Sequence, residues 1–190
     1  MVRATLALSI IGAVVFTAIS GILGPAVAED SDSCFRDSSD VAIAACGRII
    51  DSRKSTRANR IEAYASRGQE WYVKHDYDKA IADFDRAIDL NPKGLAEYGT
   101  GAILAYGNRG NAYNEKGDAK RAIENYTRAI AIDPKYTASY TSRGLQYEKL
   151  GDLEKARADF NAALGSPAKY RDGQWALDKA RERLEALKAK

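Results

Sequence analysis

ILAYGNRGNAYNEKGDAKRAIENYTRAIAIDPKY, residues Ile103 to Tyr136, carries two helical faces with a break between them. Tyr106, Gly110 and Tyr113 fall three to four residues apart, the spacing of one helix face. Gly117-Asp118 interrupts that periodicity, Ala122, Tyr126 and Ala129 resume it, and Pro134 stops it. The spacing predicts a helix–turn–helix hairpin of 34 residues, and the hairpin recurs. From Thr137, the residues Tyr140, Gly144, Tyr147, Gly151-Asp152, Ala156, Phe160 and Ala163 repeat the same offsets. From Ile61, so do Tyr64, Gly68, Trp71, Ala80, Phe84, Ala87 and Pro92. A hairpin of this size cannot bury its apolar face alone, so stacked copies must share one core.

The period and the order aromatic–Gly–aromatic…Ala…aromatic…Pro resemble the tetratricopeptide repeat. The resemblance implies an all-α fold, an α–α superhelix of three full repeats at 61–94, 103–136 and 137–170. It also implies a half-repeat cap within 29–60 and a capping helix within 171–190, since terminal repeats of solenoids are atypical. The implied function class is a scaffold that binds another protein or an extended peptide segment. Residues 95–102 do not fit the period. They read either as a rim loop with Tyr98 at its tip or as an early start to the next helix. Gly94, Gly99 and Gly101 favour the loop, because each costs about 1 kcal/mol inside a helix.

The ends of the chain read differently. Residues 1–28 hold one charge, Arg3, and an apolar run from Ala4 to Leu23. Gly24-Pro25 ends the run, and Ala26-Val27-Ala28 precedes Glu29-Asp30. This is the pattern of a secretory signal cut between Ala28 and Glu29, with an uncleaved membrane anchor as the other reading. Glu29 to Asp40 reads as polar and irregular, with Asp40 able to cap the helix that carries Ala42, Ile43, Cys46, Ile49 and Ile50. Ala42 to Cys46 aligns with Ala80 to Phe84, which makes this helix the second helix of an incomplete repeat. In an exported, periplasmic or secreted chain Cys34 and Cys46 pair as a disulfide; two separate thiols are the alternative. Near the C-terminus, Trp175, Leu177, Ala180, Leu184 and Leu187 give 174–189 one apolar side. That side reads as a cap on the stack or as a partner-binding helix.

Composition narrows the function. With 29 basic and 26 acidic residues the chain has no basic excess of the kind that marks nucleic-acid binding. One His, two Cys and no Gly-rich phosphate loop after a strand leave no catalytic or metal-ligating constellation, and no cofactor is implied. Asn125-Tyr126-Thr127 matches a glycosylation sequon but falls inside a predicted helix. Arg67, Arg109 and Arg143 each precede the repeat Gly, where the family pattern usually has Leu. They form either a structural ladder paired with carboxylates or helix carbonyls, or an anion-binding row.

The resemblance places the other face of each repeat's first helix in a concave groove. Glu62, Gln69 and Tyr72 lie on that face in the first repeat, with Gly107, Asn108, Asn111 and Asn114 in the second. Thr141, Leu145 and Glu148 follow in the third. Amides there can donate to and accept from a peptide backbone. The carboxylate clamp of tetratricopeptide co-chaperones is not expected: Asn111 alone matches it, with Ala65, Gly107, Thr141 and Leu145 where its cations would stand. Two further readings remain beside the scaffold. One is a membrane-anchored accessory factor in envelope, secretion or pilus assembly; the other is the regulatory subunit of an enzyme.

Overall fold

The computed structural model describes residues 25–36 and 38–188. The apolar run Ala4–Leu23 lies outside the described residues, so neither the signal nor the anchor reading acquires a structure. Among the described residues no helix is long and apolar enough to cross a membrane. The chain forms α1 (Pro25–Arg36), α2 (Ser39–Asp51), α3 (Arg57–Val73), α4 (Tyr77–Leu90), α5 (Gly101–Glu115), α6 (Ala119–Ile132), α7 (Thr137–Lys149), α8 (Leu153–Leu164) and α9 (Gly173–Lys188). The pairs α3–α4, α5–α6 and α7–α8 are hairpins, and each second helix packs against the first helix of the next pair.

Each hairpin turn uses the same two devices. Gly117 and Gly151 take φ of +77° and +80°, the left-handed conformation that ends a helix, and His75 takes φ 61° at the equivalent place. The next residue, Asp76, Asp118 or Asp152, caps the second helix by accepting the N–H of Lys79, Arg121 or Lys155 at 3.2, 2.9 and 3.2 Å. The other carboxylate oxygen meets the side chain of that same Lys or Arg.

The two helices of each repeat touch where a Gly faces a ring. A Cβ on Gly68, Gly110 or Gly144 would stand 2.7, 2.6 and 2.7 Å from the rings of Phe84, Tyr126 and Phe160. These three rings are fully or almost fully buried. The small residue in one helix thus sets how deeply the aromatic of the other can seat.

The arginine row is a ladder. Arg67 donates from Nε and Nη2 to both oxygens of Asp83, at 2.8 and 2.7 Å. Arg143 does the same with Asp159, at 2.8 and 2.7 Å. In the second repeat the residue at this offset is Asn125, which accepts from Arg109 Nε at 2.7 Å. The carboxylate comes instead from the preceding hairpin, where Asp85 pairs with Arg109 Nη1. Thr127 holds the position of Asp85 one repeat later and accepts from Arg143 Nη1 at 2.9 Å. Each guanidinium also lies over a tyrosine three residues earlier, Tyr64, Tyr106 or Tyr140, at 5.6, 5.4 and 5.8 Å. Asn125 is buried and spends its amide on Arg109 and on the Arg121 carbonyl, so the sequon is structural.

Three expectations change at the N-terminal end. Of the stretch Glu29 to Asp40, expected to be irregular, residues 29–36 are helical and belong to α1. The physical reason is that α2 needs a cover: Cys34 is buried against Ala45, Cys46, Ile49 and Ala63. The Cys34–Cys46 disulfide joins α1 to α2 at the level where the other hairpins use a Gly–ring contact. The residue ahead of α2 is Ser38 rather than Asp40, and Asp40 instead pairs with Lys74 at 3.0 Å. The cap is therefore a complete hairpin. Gly47 stands at the offset of Asp85 and Thr127, with Arg67 Nη1 3.7 Å from where its Cβ would be.

The insertion is a loop from Leu95 to Thr100 with one 3₁₀ turn at Ala96–Tyr98. Tyr98 is not an exposed tip: it packs on the core and carries Arg57 over its ring at 4.9 Å. In α9 the buried line is Gly173, Ala176, Ala180 and Leu187, while Trp175 is exposed. Gly173 makes room for the close approach of the Ala168 backbone, where a Cβ would stand 2.8 Å away.

Asp133 links the ends of the second and third repeats. It accepts from Lys169 Nζ at 2.7 Å, Tyr170 OH at 2.5 Å and the Lys135 N–H at 2.9 Å. Burial alone would raise its pKa, but these three donors outweigh it and hold the carboxyl at about 2. A depressed folded pKa stabilises above the unfolded value near 3.8 and loses that contribution as pH falls through 2. The stability difference between wild type and Asp133→Asn should therefore shrink by about 2 kcal/mol between pH 7 and pH 2, read by urea unfolding. A pH-independent difference would contradict this.

A candidate peptide-binding cleft on the concave face

The first helices of the hairpins, α3, α5 and α7, followed by α9, lie side by side, but not evenly. α5 packs closely on α3, because Glu62 accepts the Gly101 N–H at 2.8 Å and Gly101 leaves no Cβ against Ile61. α5 touches α7 at only a few points. The cause is Tyr136, which closes the second repeat where Gly94 closes the first. Its ring is buried and lies against Gly107, where a Cβ would stand 2.8 Å away. Tyr136 is a wedge between the helices, and Gly107 is the notch that receives it.

The wedge opens a cleft of about 370 Å³. Its walls come from α3 (Tyr72), α5 (Gly107, Asn111, Asn114, Glu115), α6 (Tyr126), α7 (Ser139, Ser142, Leu145, Gln146, Lys149) and α9 (Trp175), with Tyr136, Ala138 and Asp172 completing it. The polar groups there are mostly coupled to one another. Tyr126 OH donates to Asn111 Oδ1 at 2.8 Å, and Lys149 Nζ donates to Asn114 Oδ1 at 2.8 Å. Tyr136 OH donates to Asp172 Oδ2 at 3.3 Å. Burial pushes the hydroxyls of Tyr126 and Tyr136 up and raises the Asp172 carboxyl as well. Two atoms at this cleft are buried with no hydrogen-bond partner, Ser139 Oγ and Asp172 Oδ1.

Five of the ten predicted groove residues line this cleft: Tyr72, Gly107, Asn111, Asn114 and Leu145. Gln69 and Asn108 lie outside its walls. The remaining three serve the fold. Glu62 pins the start of α5, and its pKa is raised by burial against the opposing pull of the Gly101 and Thr100 N–H groups. Thr141 is fully buried and donates to the Ala176 carbonyl at 3.0 Å. Glu148 pairs with Arg183. Helix α9 therefore covers the concave face of the third repeat. Sequence reasoning missed Tyr136, Ser139 and Asp172, and it set Trp175 on the apolar side of α9 rather than at this cleft. The first signal for them was available, a Tyr in place of Gly94 at the repeat's last position. Ala28 and Glu29, the expected cleavage pair, fall within α1.

A stack of helical hairpins with one shared groove is a solenoid scaffold, a class built for contact with other chains. Tetratricopeptide repeat profiles match residues 61–93 and 137–170, and a related repeat profile matches 110–151; the chain is a tetratricopeptide repeat protein. Among solved structures it is similar to the crystal structure of MamA, at 26% identity and TM-score 0.54 over 76% of this chain and 70% of that one. It is also similar to the Arabidopsis OM64 TPR domain, at 26% identity and TM-score 0.54 over 67% of this chain and 99% of that one. The second TPR of Spaghetti (RPAP3), solved bound to the HSP90 peptide SRMEEVD, shares the fold at 24% identity and TM-score 0.51 over 58% and 94% of the two chains. No curated protein matches the chain in sequence.

Proposed function

We propose that this protein is an exported interaction scaffold that holds an extended segment of a partner protein in the cleft between α5, α7 and α9. The observation that carries the reading is the Tyr136 wedge, which parts two helices and lines the gap with aromatic, amide and hydroxyl groups. Such groups suit a peptide, whose unpaired N–H and C=O groups need partners when water is displaced. The second TPR of Spaghetti (RPAP3) was solved bound to the HSP90 peptide SRMEEVD. Here Ala65, Gly107, Thr141 and Leu145 offer no cations for a C-terminal carboxylate, so the proposed partner is read along its backbone.

The test is selection of random heptapeptides on the immobilised full chain, followed by binding to variants. Asn111→Ala with Tyr72→Ala should weaken the selected peptides about tenfold, from two or three lost contacts, at unchanged helix content. Lys93→Ala, outside the cleft, should leave them alone. Peptides indifferent to the cleft variants would refute the groove. Export is supported by the apolar run with Ala26-Val27-Ala28 and by the Cys34–Cys46 disulfide, which suits an oxidising compartment. Intact-mass measurement of the protein from its native cell checks it, and a chain retaining residues 1–28 would refute cleavage.

A further inference from the structure

The cleft has an unusual inventory. Four aromatic side chains face it, Tyr72, Tyr126, Tyr136 and Trp175, and Trp175 is half exposed. It holds two carboxylates, Asp172 and Glu115, against one ammonium, Lys149, which is already bonded to Asn114. Asp172 uses Oδ2 on Tyr136 and leaves Oδ1 buried without a donor. Ser139, 1% exposed, leaves its hydroxyl equally unmatched. A buried carboxylate oxygen without a donor is costly, and the group that relieves it best is an ionised donor. Aromatic faces attract the same kind of group, because the ring quadrupole is negative above its plane.

We infer that the cleft takes a basic side chain, Lys or Arg, of the bound partner segment, seated against Asp172 Oδ1 and Ser139 Oγ and flanked by Trp175. This rests on the groove reading above and adds the chemistry of its anchor. It inverts the polarity of carboxylate-end recognition: the chain supplies the anion and the partner supplies the cation. The remaining carboxylate, Glu115, stands at the rim and steers the same charge. The volume falls at the lower end of the small-ligand range of ~300–1,000 Å³, enough for one long side chain rather than a folded element.

The test uses the full chain and two fluorescein-labelled, N-acetylated, C-amidated heptapeptides of alternating Ala and Ser. One has a central Arg and its twin a central Glu. The Arg peptide should bind by anisotropy and shift the Trp175 indole resonance in NMR spectra, and the Glu twin should bind about tenfold more weakly or worse. Asp172→Asn should weaken the Arg peptide about tenfold while leaving the Glu twin unchanged or tighter. Asp172 precedes α9, so Ser139→Ala serves as the second variant, with unchanged circular dichroism and a smaller loss for the Arg peptide. Twins that bind equally, or an Arg peptide indifferent to Asp172→Asn, would overturn the basic anchor while leaving the groove reading intact. Selected heptapeptides that miss the cleft altogether would overturn the groove reading as well. Arginine amide binding as tightly as the heptapeptide would also overturn the inference, because the occupant would then be a small cation and not a polypeptide.

Discussion

Replacing Asp159 by Ala should destabilise the protein by about 3–5 kcal/mol, measured by urea unfolding, because it strands a mostly buried guanidinium. The Arg143 and Asp159 side chains are 17% and 8% exposed, and two parallel hydrogen bonds join them. The second repeat shows what a milder change requires. There Asn125 stands in for Asp, and Arg109 keeps a carboxylate only because Asp85 reaches across from the hairpin before it. Arg143 has neutral Thr127 at that place. Asp159→Asn should therefore destabilise the third repeat, and adding Thr127→Asp should recover most of the loss by rebuilding the second repeat's arrangement. A loss below about 1 kcal/mol for Asp159→Ala would mean the pair behaves as a surface ion pair.

The second large effect concerns the Gly–ring contacts. Phe84 is fully buried, and Phe84→Ala should cost about 3–5 kcal/mol through lost contacts and the cavity left behind. Gly68→Ala should cost about 1–3 kcal/mol for the opposite reason, since its methyl would stand 2.7 Å from the same ring. The two changes share one space, so the double variant should be less unstable than the sum. Strict additivity in thermal unfolding would show that the ring and the glycine do not set each other's position.

How much of this was legible in the sequence depends on the range of the interaction. The hairpins were, because Gly68, Gly110 and Gly144 recur with their aromatic partners at fixed offsets. The arginine ladder was half legible. Arg67, Arg109 and Arg143 stand out as a repeated departure, but their partners lie 16 residues away on the second helix and change from Asp to Asn in the middle repeat. The α1 helix was hidden because 29–40 is polar by composition. Its helicity comes from covering α2, which is a tertiary effect. The groove was predicted by analogy with an even stack, so Thr141 and Glu148 were placed in the open when α9 covers them. The asymmetry that makes the cleft comes from single residues that break the repeat, Tyr136 for Gly and Asp172 at the entry to α9.

The same wedge has a consequence for how the molecule comes apart. In an array of stacked units, stability is close to a sum of unit terms and interfaces between neighbours. The interface between the first two repeats is extensive, with α5 packed on both α3 and α4. The interface between the second and third is thinner, since α5 and α7 are held apart and α7 meets the second repeat mainly through α6. Transient opening of the native state follows the weakest interface. Among the described hairpins the thinner junction thus lies at Tyr136, and native-state hydrogen exchange should find α7, α8 and α9 opening there as a second cooperative block.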